Sequence, residues 1–284
     1  MILVKKVWLI TGTSTGFGRA LSKELINNGY PVALTARHVE QIAGLVEGHD
    51  QALALTLDVT KREQVQDAVR HTLEKFGRID VLVNNAGYGY FGAIEEADEE
   101  AVRQLFETNF WGLSDMTRAV LPTLRKQRNG HIVNVSSIGG LTAFPAFGYY
   151  HATKFAVEGF SQSLAKEVNP LGIKITLVEP GAFRTDWAGR SADQRETVIE
   201  DYAETAGKRL QQSREHSGKQ AGSPELAAKA IIQAVESENS PVHLLLGKDA
   251  VQNARIQLDN LKKDLETWEE VSSHVDFGDE EYWK

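Results

Sequence analysis

Two residues of the sequence, Tyr150 and Lys154, have the types and the spacing for proton-transfer chemistry. If they lie at the start of a helix, their separation of four residues places both side chains on one face. A tyrosine is a poor base at neutral pH because its unperturbed pKa is about 10, and a neighbouring ammonium group lowers that pKa by stabilising the phenolate. Taken alone, however, a Tyr-x-x-x-Lys pair more often lies on a helix surface without a catalytic role.

A glycine-rich turn near the N-terminus, residues 11–18, follows an apolar run of strand length and opens a helical pattern. Glycines let a backbone approach a phosphate closely, and a helix N-terminus offers free N–H groups and the positive end of the helix dipole. The spacing is G-x-x-x-G-x-G rather than the dinucleotide fingerprint G-x-G-x-x-G. The strand–turn–helix context favours a nucleotide site over an ordinary turn.

The end of the second apolar run indicates which dinucleotide such a turn would bind. A site for NAD carries an Asp or Glu roughly 20 residues further on, where it binds the ribose. Here residues 34–36 contain no acid, and Arg37 follows them. A guanidinium group suits a phosphate, which a carboxylate would repel, so the sequence favours NADP(H) over NAD(H). The alternative is that Arg37 is a solvated loop charge.

The elements that would position these residues alternate between short apolar runs and longer helical patterns. Continuous apolar runs suit parallel strands buried on both faces, and the alternation implies right-handed crossovers. The sequence therefore predicts an α/β, Rossmann-type doubly wound fold, a seven-stranded parallel sheet flanked by helices on both faces. The strand candidates are residues 7–11, 31–35, 52–57, 79–83, 131–135, 173–178 and 242–246. The main helical patterns are residues 101–124, 154–168 and 224–235.

The composition of the 284 residues excludes several classes of site and partner. No cysteine is present, which excludes disulfides, thiolate metal centres and thiol nucleophiles. A net charge of −8 is not the basic footprint of a nucleic-acid binder. No apolar run is long enough for a membrane span, and Lys5 and Lys6 interrupt the N-terminal apolar residues, so no signal peptide is expected. We therefore expect a soluble cytoplasmic protein.

In their order along the chain, the motifs resemble those of the short-chain dehydrogenase/reductase family, in its single-domain branch. The resemblance covers about residues 5–250. The motifs are residues 11–18, Asn84-Asn85-Ala86-Gly87, Asn109, Ser136-Ser137, Tyr150 with Lys154, and Pro180-Gly181. The resemblance implies an enzyme that interconverts a ketone or aldehyde with an alcohol by hydride transfer, with NADP(H) as cofactor and no metal.

The resemblance also implies roles for the catalytic residues. Tyr150 would be the general acid in reduction and the base in oxidation, and Lys154 would hold the nicotinamide ribose and lower the tyrosine pKa. Ser137, thirteen residues before Tyr150, would hydrogen-bond the substrate oxygen in preference to Ser136. Asn109 would bend the long helix and hold a proton-relay water. Hydride transfer to a ketone builds negative charge on its oxygen, so a proton donor and a hydrogen-bond donor should converge there.

A larger set of residues would contact the cofactor. By resemblance, the glycine turn would line the pyrophosphate, the pair after the third strand would flank the adenine, and Thr185 would bind the carboxamide. The set is Gly12, Thr13, Ser14, Gly16, Phe17, Gly18, Arg37, Asp58, Val59, Asn85, Ala86, Gly87, Tyr150, Lys154, Pro180, Gly181, Phe183 and Thr185. Many NADP-dependent relatives also carry a basic residue in the turn, but residues 13–15 are uncharged, so Arg37 is the main basis for expecting NADP(H).

Aromatic residues near the expected edge of the active site indicate an apolar or aromatic substrate, although each could be an ordinary core or loop residue. They are Tyr88, Phe91, Phe144, Phe147, Phe183 and Trp187. Two other functions stay open: a catalytically silent NADP-binding regulator, and a ketoacyl reductase acting on carrier-bound substrates. An acidic carrier would prefer a basic docking face, whereas this chain is acidic overall.

Residues 1–250 are expected to form a single catalytic and cofactor-binding domain. A polar, weakly periodic segment, residues 187–222, interrupts it and is interpreted as a substrate lid. Residues 251–284 form an acidic, partly helical extension, with four basic and nine acidic residues after position 251. Its apolar stripe is expected to pack on the domain or on a partner subunit of a homodimer or homotetramer. The stripe comprises Ala254, Leu258, Leu261, Leu265 and Trp268.

Two histidines, His151 and His131, are further candidates for site residues. His151 should point about 100° away from Tyr150 around a helix, so no catalytic role is expected for it. His131 precedes a strand candidate and is expected at the surface. The spacing of His, Asp and Glu residues indicates no metal site.

Overall fold

The computed structural model describes residues 5–185 and 192–283, so that Trp187 lies outside the described residues. The strands in this part of the chain are β1 (Trp8–Ile10), β2 (Val32–Ala36), β3 (Ala52–Thr56), β4 (Val81–Asn84), β5 (Gly89–Phe91), β6 (Gly130–Val135), β7 (Ile173–Pro180), β8 (Ala192–Gln194) and β9 (His243–Leu246). The α-helices are α1 (Gly16–Asn27), α2 (Ala43–Val46), α3 (Arg62–Phe76), α4 (Glu99–Phe106), α5 (Leu113–Gln127), α6 (Gly148–Val168), α7 (Lys208–His216), α8 (Pro224–Glu236) and α9 (Lys248–Ser272).

Seven strands form one sheet in the order β3-β2-β1-β4-β6-β7-β9, and every neighbouring pair is parallel. The predicted Rossmann-type sheet is therefore confirmed. Its strand order reverses at β1, since the chain runs outward to β3 on one side and from β4 to β9 on the other. The carboxyl ends of β1 and β4 thus border the crevice where doubly wound folds bind nucleotides.

Helices cover both faces of this sheet because successive side chains of a strand point to opposite faces. In β1, Trp8 and Ile10 pack in a core cluster with residues of α1 and α8. Leu9, between them, belongs to a second cluster formed with residues of α3, α5 and α6. All three side chains are fully buried, which is why the strand appears in the sequence as an uninterrupted apolar run.

His131 is not at the surface, where the sequence predicts it. His131 belongs to β6, near the middle of the sheet, and is buried rather than exposed. Its Nε2 atom lies 2.9 Å from Thr176 Oγ1 on the neighbouring strand β7. Burial, assisted by the positive charges of Lys174 and Lys6, lowers the pKa of His131 to about 3. The expectation of a surface histidine was wrong because β6 has strands on both sides.

A second, two-stranded sheet lies beside the main one. β5 pairs in parallel with β8, which belongs to the segment interpreted as a lid. Further along this segment, Ala206 and Leu210 pack with Phe91 and Phe147 in an apolar cluster separate from the main core. The described part of residues 187–222 therefore contains a strand and the helix α7, both seated on the domain.

The C-terminal segment forms the 25-residue helix α9. Its first turns pack on the domain, where Ala250 and Ala254 are buried in a cluster with Ile138 and Leu245. From Leu258 to Glu270 every residue is exposed. None of the described helices, α9 included, combines the length and the apolar character that a membrane crossing requires.

Candidate active site

The glycine-rich turn connects β1 to α1 at the switch point of the sheet. Gly12 and Gly16 have φ angles of +69° and +55°, which side chains rarely tolerate. A Cβ atom at Gly12 would lie 2.8 Å from the Ala86 Cα atom, so a larger residue would push the turn away from the end of β4. Thr15, at the N-cap of α1, makes no capping hydrogen bond through its side chain. No N-cap side chain therefore competes for the first backbone N–H groups of α1, and these groups fit an anionic pyrophosphate.

Hydrogen bonds fix the glycine turn to the neighbouring strands. Asn85 Nδ2 donates to the carbonyl oxygens of Thr11 and Gly12, at 2.9 and 2.8 Å. In return, Thr11 Oγ1 accepts from the backbone N–H groups of Asn85 and Ala86. Thr13 is buried, and both its N–H and its hydroxyl donate to the Thr35 carbonyl at the end of β2. Its side chain thus holds the turn in place rather than facing the crevice.

The two residues predicted to flank the adenine lie after β3 and have different surroundings. Asp58 Oδ1 accepts from the N–H and the hydroxyl of Thr60, at 3.0 and 2.8 Å, so its carboxylate stabilises the loop itself. Val59 is buried beneath Gly112, where a Cβ atom would lie 2.5 Å from the valine Cγ2. Arg37, which follows β2, is exposed. Its positive charge acts on Tyr88, although burial and the charge of Asp193 raise the pKa of that tyrosine overall.

Asn109 lies in a π-helical segment, Glu107–Gly112, between α4 and α5. The predicted helix over residues 101–124 is therefore interrupted by one wider turn, in the place where the resemblance implied a bend. Asn109 Oδ1 accepts from Tyr88 N at 3.0 Å, and Asn109 Nδ2 donates to Tyr88 O at 2.9 Å. The same Nδ2 reaches Thr153 Oγ1 on α6 at 3.3 Å. The side chain thereby connects the loop after β4 to the helix that carries Tyr150.

Tyr150 and Ser137 come together although they belong to different elements. Ser137 follows β6 and its Oγ accepts from Gly139 N at 2.9 Å, which closes a short 3-10 turn. The Ser137 hydroxyl lies near enough to that of Tyr150 to act on it as a hydrogen-bonding neighbour. Burial raises the pKa of Tyr150 to about 12, and the Ser137 hydrogen bond acts in the opposite direction. The neighbouring Ser136 is turned away toward Glu158, beside Gly140.

Lys154 lies one helical turn after Tyr150 on the same face of α6. Its Nζ atom donates to the Val135 carbonyl at 2.8 Å and lies 5.7 Å from the centre of the Tyr150 ring. Burial lowers the pKa of Lys154 to about 8, and the charge of Glu158 acts in the opposite direction. The lowering of the tyrosine pKa by Lys154 stays a prediction, since burial dominates in these surroundings and raises that pKa.

His151 is buried beside Tyr150, with 5.9 Å between ring centres, and has a structural role. Its Nε2 atom accepts from Phe144 N at 3.0 Å, which leaves the proton on Nδ1, 2.9 Å from Gly139 O. Burial lowers the pKa of this histidine and so favours the neutral ring. His151 thus holds the loop between Ser137 and α6.

The aromatic residues predicted to line a substrate pocket divide into two groups. Phe91 and Phe147 are buried, 4.6 Å apart between ring centres, and belong to the apolar cluster under α7. Phe144 is only half-buried, and the Arg209 guanidinium of α7 lies 5.2 Å from its ring centre. Phe183 contacts Phe17 of α1, with 5.0 Å between ring centres. Only part of the set is therefore free to meet a substrate.

Residues after β7 connect the crevice to the start of α9. A Cβ atom at Gly16 would lie 3.7 Å from Thr185, so the glycine turn and Thr185 are neighbours. Gly181 follows Pro180, the last residue of β7, and packs directly on the Asp249 carboxylate. Asp249 Oδ2 also accepts from Ala182 N at 2.7 Å. These contacts place the loop after β7 over the nucleotide crevice.

A cluster that the sequence analysis missed lies behind Lys154. Glu158 of α6 and Glu179 of β7 are buried, and His243 of β9 is partly exposed; ligand atoms of the three lie within 4.8 Å of one another. His243 Nδ1 is 2.6 Å from Glu179 Oε1. Burial raises the pKa of both carboxyl groups, that of Glu158 to about 7, while His243 stabilises both carboxylates. One sequence signal was present, an acid four residues after Lys154 on the same helix face.

The chain is similar to known proteins over most of its length. The family model for short chain dehydrogenases matches residues 6–196. The oxidoreductase BOA17 of Botryotinia fuckeliana is 43% identical over 269 residues, which are 94% of this chain and 98% of that protein. The 3-ketodihydrosphingosine reductase of Bacteroides thetaiotaomicron is 40% identical over 85% of this chain and 88% of its own length.

Solved structures give the same result. A short-chain dehydrogenase from Streptomyces avermitilis has a TM-score of 0.90 and 42% sequence identity, covering 97% of this chain and all of that one. An alcohol dehydrogenase from Thermococcus sibiricus, complexed with 5-hydroxy-NADP, has a TM-score of 0.71 and 28% identity, covering 85% and 96% of the two chains. Both sequence and structure thus match dehydrogenases, one of them with a nicotinamide nucleotide bound.

Proposed function

The chain belongs to the short-chain dehydrogenase/reductase family, whose members are nicotinamide-dependent oxidoreductases, and we propose that it interconverts a ketone or aldehyde with an alcohol, using NADP(H). The observation that carries this proposal is the approach of the Ser137 hydroxyl to the Tyr150 hydroxyl, with the Lys154 ammonium 5.7 Å from the centre of the tyrosine ring. Two hydroxyl groups that meet in this way can converge on a single substrate oxygen.

In the reductive direction, these residues act on the carbonyl oxygen. A reduced nicotinamide bound in the crevice would supply the hydride to the carbonyl carbon and become oxidised. As negative charge develops on the oxygen, Ser137 donates a hydrogen bond to it and Tyr150 transfers its hydroxyl proton, which completes the alcohol. The positive charge of Lys154 stabilises the phenolate that remains on Tyr150. In oxidation the same groups act in reverse.

The reaction class is tested with a panel of ketones and aldehydes, by following the loss of nicotinamide absorbance with NADPH and, separately, with NADH. We expect turnover of apolar or aromatic ketones in preference to sugars and small hydroxy acids. The half-buried Phe144 and the name of the Bacteroides relative, a reductase of 3-ketodihydrosphingosine, support this substrate class. A binding protein without activity on any member of the panel would contradict the proposal.

The preference for NADP(H) rests on Arg37, an exposed cation at the end of β2. We expect Arg37→Asp to reverse the preference, because a carboxylate repels the 2′-phosphate and accepts hydrogen bonds from ribose hydroxyls. A charged hydrogen bond contributes about 1.5–3 kcal/mol, so the ratio of KM for NADPH to KM for NADH should rise roughly tenfold or more. Arg125→Asp on the exposed surface of α5 makes the same change of charge elsewhere and should leave the ratio unaltered. Equal ratios in both variants would overturn the role of Arg37.

Residues 187–222 are proposed as a lid over the substrate. Support comes from the pairing of β8 with β5, which follows Gly87, and from the contact of Arg209 with Phe144 beside the site. In limited trypsinolysis, NADPH together with a ketone should slow cleavage at exposed basic residues of α7 and the following turn, such as Arg214 and Lys219. Cleavage at Lys263 of α9 serves as the internal control and should not change. An identical rate at all sites with and without ligands would exclude closure of the segment.

Homodimers or homotetramers of the family type would assemble through the long helical region predicted over residues 101–124 and through α6. The exposed Trp111 and Phe155, 52% and 48% accessible, support such an apolar face. The cytoplasmic location expected from the sequence stays a prediction.

A further inference from the structure

The C-terminal helix α9 leaves the body of the protein after its first two turns. Ala250 and Ala254 are buried against the domain, whereas every residue from Leu258 to Glu270 is exposed. The exposed part is about 20 Å long at 1.5 Å per residue. A helical segment of this length without tertiary contacts is only marginally stable in water. It therefore needs a further surface to cover it.

The large apolar residues of this segment form one stripe. Leu258, Leu261, Leu265 and Trp268 have exposed fractions of 65, 54, 64 and 60%. Alternating steps of three and four residues are the spacing of positions a and d in a heptad, which form the seam of a coiled coil. The stripe is narrow and straight, so it fits a second helix better than a flat apolar surface.

We propose that α9 pairs in antiparallel orientation with α9 of a second copy of this chain. In the register that covers the whole stripe, Leu258 of one copy lies opposite Trp268 of the other, and Leu261 lies opposite Leu265. The two-fold symmetry of the pair repeats both contacts, so the surface is complementary to itself. A shift by one heptad toward the N-terminus would bring the second helix onto Ala254, which the domain already covers.

Charges beside the stripe favour the antiparallel orientation. Arg255 and Glu269 occupy equivalent heptad positions at one edge of the stripe, and antiparallel helices bring Arg255 of each copy beside Glu269 of the other. Parallel helices would instead bring Asp264 beside Glu269 at both edges, which places like charges together. Near the two-fold axis the same register brings Lys262 beside Lys262 and Asp264 beside Asp264 of the other copy, and the ion pair of Lys262 with Glu266 of the same helix, at 3.6 Å, offsets part of this repulsion. The two attractive pairs remain specific to the antiparallel orientation.

The polar face of α9 also argues against a lipid surface as the occupant. Helices that lie on anionic membranes carry Lys and Arg on the polar face. Residues 255–270 contain three basic and five acidic residues, so an anionic bilayer would repel this segment. An anionic surface offers no partner to Glu269, whereas a second copy of the same helix pairs it with Arg255.

The first test compares assembly by sedimentation velocity. The double variant Leu261→Glu/Leu265→Glu should lose one level of assembly, from tetramer to dimer or from dimer to monomer, while activity is retained because α9 holds no catalytic residue. The matched control Asn260→Glu/Thr267→Glu adds the same charges on the exposed outer face and should assemble like the unaltered protein. A wild-type chain that is monomeric, or a double variant with unchanged assembly, overturns the proposal.

The second test distinguishes the two orientations by charge reversal. Arg255→Glu and Glu269→Arg should each weaken the association roughly fivefold, and the two changes combined should restore it, since exposed pairs contribute up to about 1 kcal/mol each. In a parallel pair, Glu269→Arg alone would strengthen the association because it meets Asp264. That result, or the failure of the combined variant to recover, contradicts the antiparallel arrangement.

The third test uses the absence of cysteine from the chain. Leu258→Cys and Trp268→Cys chains, mixed and oxidised, should form a disulfide between the two variants. Each variant alone should not, because antiparallel order separates identical positions. Efficient cross-linking of Leu258→Cys with itself would show a parallel pair and overturn the proposal.

Discussion

Replacing Tyr150 with phenylalanine is expected to lower kcat by roughly a thousandfold while leaving the affinity for NADPH nearly unchanged. General acid catalysis contributes about 10²–10⁴ in rate, and Tyr150 is the hydroxyl group placed to give the carbonyl oxygen its proton. The phenyl ring keeps the buried packing of a side chain that is only 6% exposed. Lys154 keeps its hydrogen bond to the Val135 carbonyl, so the cofactor-binding side of the site is preserved. Turnover is measured under saturating ketone, and NADPH binding by nicotinamide fluorescence.

Tyr149→Phe is the matched control for this experiment. Tyr149 is the preceding residue of α6, and its ring meets Tyr90 edge-on with 6.4 Å between ring centres. It loses the same hydroxyl group outside the Ser137 contact, so its kcat should stay within about twofold of the unaltered enzyme. A Tyr150→Phe enzyme that retains a tenth or more of the activity would show that another group supplies the proton.

Replacing Glu158 with glutamine is expected to stabilise the protein at pH 8 and to change its stability little at pH 4.5. The raised pKa of Glu158, about 7 in the folded state, means that folding favours its protonated form. Between the unfolded pKa and about pH 7 the folded chain binds more protons than the unfolded chain, so stability falls as pH rises through this window. Because glutamine is uncharged at every pH, the variant does not lose stability in this way as the pH rises. The expected gain at pH 8 is about 1–3 kcal/mol.

Charged and polar groups face Glu158 from each element packed against it. Lys154 precedes it on α6, Glu179 faces it from β7, His243 from β9, and the Ser136 hydroxyl from the end of β6. Urea unfolding at both pH values measures the change. Glu167→Gln removes an exposed carboxyl group of the same helix and should shift stability equally, by a few tenths of a kcal/mol, at both. A Glu158→Gln effect that is independent of pH would exclude a buried, protonated carboxyl group.

The fold could be predicted from the sequence because each strand has a local signature. Parallel strands covered on both faces are uninterrupted apolar runs, and those runs, such as residues 79–83, fall on the observed sheet strands. The π-helical turn at Asn109 has no such signature. It depends on the pair of hydrogen bonds to the Tyr88 backbone, which form only after the loop behind β4 has packed against the helix.

The site could be predicted from the sequence where its residues belong to recognisable motifs. It could not be predicted where burial determines the role of a residue. Tyr150, Ser137 and Lys154 come together as their spacing and the resemblance implied. Glu179 lies 21 residues and His243 lies 85 residues beyond Glu158 in the chain, so no local pattern joins them. Phe91 and Phe147 look like pocket residues in the sequence, but their positions under α7 make them core.

The reversal of strand order at β1 also determines when the site can exist during folding. Trp8 of β1 pairs with Val81 of β4, so the central contact of the sheet closes a loop of about 70 residues. Bringing such distant positions together costs chain entropy before the contacts between them can compensate for it. Chains rich in such contacts therefore fold slowly. The same pair of strands brings the glycine turn beside Ala86. An incompletely folded chain that has not made this closure therefore has no crevice for a dinucleotide, and ligand binding reports directly on completion of the sheet.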